Sequence, residues 1–102
     1  MNILCFGDSN TWGYKPDKTG RFDENTRWTA LLQKKLGPEY HIIEEGLCGR
    51  TTVFHDELRE GRRGLDMIGV TVEMHNPLDL VIIMLGTNDC KTRYGASASV
   101  IA

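Results

Sequence analysis

Three short polar clusters in this chain hold residue types suited to acyl-transfer chemistry: Gly7-Asp8-Ser9-Asn10, Gly46-Leu47-Cys48-Gly49-Arg50-Thr51 and Gly86-Thr87-Asn88-Asp89. Gly7 permits a sharp turn that presents the Ser9 hydroxyl as a nucleophile, with a backbone N–H aimed into the same space. Gly46 and Gly49 let the backbone approach a ligand and offer N–H groups to a developing oxyanion, and the side-chain amide of Asn88 is a further donor. Trp12 and Tyr14 follow the serine closely enough to wall an acyl or aryl pocket, with core packing as the competing role. Each cluster also has a plainer reading. Ser9 can cap a helix, Asn88 and Asp89 can close an Asx turn, and the glycines can serve turn geometry alone. The coincidence of three clusters favours the site reading. Asp8, adjacent to the serine, is expected to hold the loop through backbone hydrogen bonds.

The elements that must position these clusters alternate strand and helix. Asn2 to Phe6 is an apolar strand stopped by Gly7, and 7–25 reads as a long ordered loop. Asn25 or Thr26 is the expected cap of a helix whose apolar positions Trp28, Leu31, Leu32 and Leu36 recur at helical spacing before Gly37-Pro38. Tyr40 to Glu44 is a second strand, and Leu65, Ile68, Val72 and Met74 mark a second helix ending before Asn76-Pro77. Leu80 to Leu85 has the unbroken apolar character of a strand buried on both faces. Tyr94 to Ala102 reads as the opening of a third helix. The pattern predicts one doubly wound α/β domain over residues 1–102, three-layered and flavodoxin-like, with a parallel sheet in the order 2-1-3. In such a sheet ligands bind beyond the carboxyl ends of the strands, where the loops starting at Gly7, Glu45 and Gly86 lie.

Composition narrows the function classes. The 102 residues are 40% hydrophobic, 25% charged and 8% aromatic, which is ordinary for a globular domain. Twelve Lys and Arg against fourteen Asp and Glu give a formal charge of −2, so no footprint for nucleic acid or an anionic membrane is present. The longest apolar run, Leu80 to Leu85, is far short of the ~20 residues that span a bilayer. No secretory segment opens the chain, and Cys5, Cys48 and Cys90 are odd in number and widely spaced, so the expected compartment is the cytoplasm with reduced thiols. No CxxC pair points to a metal, and no cofactor is implied. Cys48 is expected to be a small buried thiol, and Arg50, Arg59, Arg62, Arg63 and Arg93 to be solvated.

The stretches GDSNTWGY, EEGLCGRTTVF and PLDLVIIMLGTND resemble the first three blocks of the GDSL, or SGNH, hydrolases, in their aryl-esterase and acyltransferase branch. Ser, Gly, Asn and His name that superfamily, and the first three match at Ser9, Gly49 and Asn88. The resemblance covers essentially the whole chain, with Asn10 in the position of the eponymous leucine. It implies an acyl-enzyme on Ser9 formed from short-chain or aryl esters. The Ser9 N–H, Gly49 N–H and Asn88 amide would bind the tetrahedral oxyanion. The family's fourth block, an Asp-x-x-His supplying the triad acid and base, has no counterpart here. A serine without a base is a weak nucleophile.

None of the three histidines replaces it readily. His41 begins the second strand and His75 precedes the third, which puts both at the far end of the sheet, on the surface. Only His55 emerges on the correct face, where a loop histidine near the site mouth is preferred over a base. The resemblance therefore implies the N-terminal half of a domain that continues past Ala102. An apolar strand edge left at that point is an association hazard, so the expected partner besides a small ester is a second copy or a separate C-terminal half. Two other functions compete. One is a flavodoxin-like module holding phosphate or flavin at 7–13, which lacks any phosphate-specific code. The other is a catalytically silent hydrolase fragment.

Overall fold

A computed structural model describes residues 1–97 of the chain. β1 (Asn2–Gly7) is central, flanked in parallel by β2 (His41–Gly46) and β3 (Leu80–Met84) in the order β2-β1-β3. That is the predicted 2-1-3 order. The central place explains the apolar run of β1. Leu4 and Cys5 are completely buried and Phe6 nearly so, as expected of a strand with neighbours on both edges and cover on both faces.

The period of two along the strands sorts the helices into layers. Ile3, Cys5 and Ile42 pack with Trp28, Leu32 and Leu36 of α2 (Trp28–Leu36). On the other face, Phe6 and Ile83 share an apolar cleft with Gly64, Leu65 and Ile68 of α3 (Gly64–His75). The adjacent β2 residues Glu44 and Glu45 show the same division. Glu44 accepts from Arg27 Nε at 3.0 Å and from the Thr29 hydroxyl on the α2 side, whereas Glu45 meets His75 Nε2 of α3 at 2.8 Å.

Several local expectations are corrected. The segment 7–25 is not all loop: Ser9–Trp12 forms a short helix, α1, and Tyr14 bridges Arg21. Neither Asn25 nor Thr26 caps α2. Arg27 occupies that position without a side-chain capping bond, because Asp23 already draws Asn25 N–H (2.9 Å) and the Thr26 hydroxyl (3.2 Å) into a turn of their own. β2 runs two residues further than predicted, to Gly46, and β3 ends one residue earlier, at Met84. β3 is not buried on both faces: Leu80, Ile83 and Met84 are exposed, since β3 is the sheet edge and α3 reaches only part of it. Of the third helix expected from Tyr94, the described part is a 3-10 turn over Thr92–Tyr94 followed by Gly95 in the left-handed conformation, and 98–102 lie outside the described residues.

Candidate active site

The register brings the three clusters to one rim. Gly7 stands opposite Gly46 on one side and Met84 on the other, so the three loops start about 5 Å apart at neighbouring strands. From there the chain turns at once. Asp8 caps α1, its carboxylate accepting from Asn10 N–H at 2.9 Å, so the cap is Asp8 and Ser9 is left as the first helical residue. Asp8 thus holds the loop through its backbone, as predicted.

Close approach demands the glycines. A Cβ on Gly46 would overlap the Trp12 backbone, so glycine lets the end of β2 press against α1. Gly49 has φ +86°, and a Cβ there would collide with the Arg59 guanidinium.

Asn88, buried in a 3-10 turn, donates from Nδ2 to the Arg50 carbonyl at 3.0 Å. Its neighbour Asp89 is completely buried and accepts from Thr52 N–H at 3.1 Å and from the Thr52 hydroxyl. Residues 88 and 89 therefore reach across to the second loop as well as forming a local turn.

Arg50 is the residue the sequence reading missed. It is 4% exposed and not solvated. Its guanidinium lies 3.8 Å from the Phe6 ring centroid, and Nη1 donates to the Gly7 carbonyl at 3.2 Å and the Glu45 carbonyl at 2.8 Å. With its own carbonyl held by Asn88, this one residue joins all three loops. Burial pushes its pKa down. No sequence signal marks it, because its partners are main-chain carbonyls.

Ser9, Gly49 and Asn88 line one cavity of about 400 Å³ together with Tyr14, Cys48, Arg59 and Lys91. Among the described residues the Ser9 hydroxyl makes no hydrogen bond, and the N–H groups of Ser9 and Gly49 have no main-chain partner. Tyr14 lines this cavity, whereas Trp12 does not. It packs 6.4 Å from the Tyr14 ring, with Arg21 5.0 Å over its own ring. Cys48 is half-buried and faces the cavity.

No histidine lines this cavity among the described residues. His41 opens β2 and is exposed, and His75 is half-buried in its pair with Glu45. His55 lines a separate cavity with Phe54, Glu57, Leu58, Arg93 and Tyr94. Its neighbour Asp56 is engaged by Arg93 at 2.7 Å.

A serine, a glycine and an asparagine from three strand ends thus share one cavity, and a model of the GDSL-like lipase/acylhydrolase family matches residues 5–102. This chain belongs to that family. Among solved structures, the aryl esterase of M. smegmatis is 44% identical with a TM-score of 0.93, over 98% of this chain and 48% of that one. A carbohydrate acetylesterase family member from Sinorhizobium meliloti is 42% identical with a TM-score of 0.92, over 98% of this chain and 47% of that one. An SGNH-hydrolase family esterase at 29% identity has a TM-score of 0.69, over 96% of this chain and 45% of the other. The GDSL-like chain therefore spans about half the length of the structures it matches. No curated protein matches it at a significant level. Among the described residues no helix is long and apolar enough to cross a membrane.

Proposed function

We propose that this GDSL-like chain carries the nucleophile and oxyanion side of a serine esterase or acyltransferase site for short-chain or aryl esters. The observation that supports it is the single cavity shared by Ser9, Gly49 and Asn88. Ser9 Oγ attacks the ester carbonyl carbon and the bond to the alcohol oxygen breaks. The hydroxyl proton passes through a base to the departing alcohol, and water or a second alcohol then takes the acyl group. The Ser9 and Gly49 N–H groups and the Nδ2 proton of Asn88 not given to Arg50 stabilise the tetrahedral oxyanion. No histidine is among the lining residues of this cavity, so the base of this reading reaches Ser9 from outside it. The aryl esterase among the similar structures supports an aryl alcohol in this reading, and the carbohydrate acetylesterase family member supports a short acyl group.

The domain over 1–102 is, in this reading, completed by a C-terminal half or by a second copy laid against β3, whose Ile83 is 58% exposed. Three free cysteines fit a reducing compartment, the cytoplasm. The test is hydrolysis of 4-nitrophenyl acetate by the purified protein, with mass analysis of the Ser9 peptide after rapid quenching. An acetylated Ser9, and a fall of about 10³-fold or more in kcat/KM for Ser9→Ala, support the reading. Turnover that survives Ser9→Ala overturns it.

A further inference from the structure

The Ser9 cavity has a charge asymmetry that ester chemistry alone does not require. Of its seven lining residues two are cationic, Arg59 and Lys91, and none is acidic. Both cations are tied to the site by neutral groups. Arg59 lies against Gly49, and its Nη2 donates to the Cys48 carbonyl at 2.8 Å. Lys91 follows Asn88 by one turn, its backbone N–H donating to the Asn88 carbonyl at 3.2 Å. The ion pairs of the described residues join Arg27 to Glu44, Arg63 to Asp66, His75 to Glu45 and Arg93 to Asp56, so neither Arg59 nor Lys91 has a carboxylate partner among them.

Three nearby carboxylates are already engaged by other groups, while Glu57 and Glu60 on the Arg59 loop are exposed to solvent. Asp56 is held by Arg93 at 2.7 Å and by Leu58 N–H at 2.8 Å. Asp8 caps α1, and Asp89 is bound to Thr52. A cation beside a nucleophile, with donors left over, costs nothing in desolvation until an anion arrives, and then forms a charge-assisted hydrogen bond stronger than a neutral one.

We propose that the Ser9 cavity selects esters bearing a negative charge on the acyl or the alcohol moiety, recognised by Arg59 and Lys91. The proposal rests on the reading of Ser9 as nucleophile and adds the substrate class. Two matched pairs locate the charge: 4-acetoxybenzoate against its methyl ester for the alcohol side, and mono-4-nitrophenyl succinate against 4-nitrophenyl butyrate for the acyl side. At low salt the anionic member of at least one pair is expected to have the higher kcat/KM by about tenfold. Added salt erodes that ratio, and Arg59→Gln or Lys91→Gln brings it toward one.

A measurement independent of turnover separates this proposal from the one it rests on. Of the unreactive amides 4-acetamidobenzoate, charged on the alcohol side, and N-phenylsuccinamate, charged on the acyl side, at least one should bind about tenfold more tightly than its methyl ester, in the wild type and in Ser9→Ala alike. Equal binding within both pairs, or a ratio that Arg59→Gln and Lys91→Gln both leave intact, overturns the anionic preference. A binding preference without any acylation of Ser9 instead overturns the esterase reading and leaves an anion-selective cavity.

Discussion

Arg50 shows how much of a candidate site can depend on a residue that does not line its cavity. A buried guanidinium stacked on Phe6 and bonded to two carbonyls replaces water at the ends of β1 and β2. Arg50→Met keeps the length of the stem but strips those donors, leaving the part-buried Glu45 carbonyl without this bond and the buried contact to the Gly7 carbonyl unmade. The expected cost is about 2–4 kcal/mol, read as a lower urea midpoint, together with reduced ester turnover. Arg50→Lys should recover little, because an ammonium does not reproduce the planar fork. Cys5 gives a second prediction at this scale. Burial, aided by the charge of Glu44, pushes its thiol up to about 11. Folded protein at pH 8 should therefore leave Cys5 unlabelled by a thiol reagent while the exposed Cys90 reacts. Stability falls between the ordinary thiol range near pH 8.5 and pH 11, because only the unfolded chain gains by ionising there. Ser9, Gly49 and Asn88 were legible because each follows a strand end in a turn of unusual composition. Arg50 was not: a buried arginine whose partners are main-chain carbonyls leaves no partner in the sequence to find.

The pairing of α2 with β2 is held by charge as well as by packing. The Arg27 guanidinium, at 3.0 and 3.2 Å, and then the Thr29 hydroxyl keep the Glu44 carboxyl below its usual range, against the opposing effect of burial. A carboxylate with a depressed folded pKa stabilises the native state above the unfolded value near 4.3 and loses that contribution as pH falls through the folded value. Glu44→Gln should lower thermal stability at pH 7 and flatten its decline from about pH 5 downward, a comparison made by melting the two proteins across the acid range. At this scale the periodic elements were readable, α2 and α3 from helical spacing and β1 from its apolar run. The four-residue α1 was too short to show a period. The cap of α2 was misplaced because Asp23, upstream of both candidates, had already claimed them. β3 was read as buried on both sides because apolar content records what a strand is suited to touch, and in the described residues the edge position leaves Leu80, Ile83 and Met84 uncovered.

Across the whole molecule, the parallel order and the common rim of the loops followed from alternation of elements and the handedness of crossovers. The exposed side of β3 and α3 did not, since it depends on what else packs there. Leu65, Val70 and Met74 of α3 are exposed, as are Ile83 on the α3 face of β3 and Leu80 and Met84 on its opposite face, so apolar side chains stand open on both faces of the edge strand. Light scattering of the 102-residue chain is expected to give a mass above the monomer that rises with concentration, whereas a monomer with a single sharp unfolding transition would contradict it. One earlier detail also constrains assembly. Glu44 and Glu45 are successive residues bound to opposite helical layers. If β2 slid by a single position, every side chain would change face and both carboxylates would be stranded at once, one on each side of the sheet. A mispaired strand is thus penalised twice, and β2 has one seating in which both layers close.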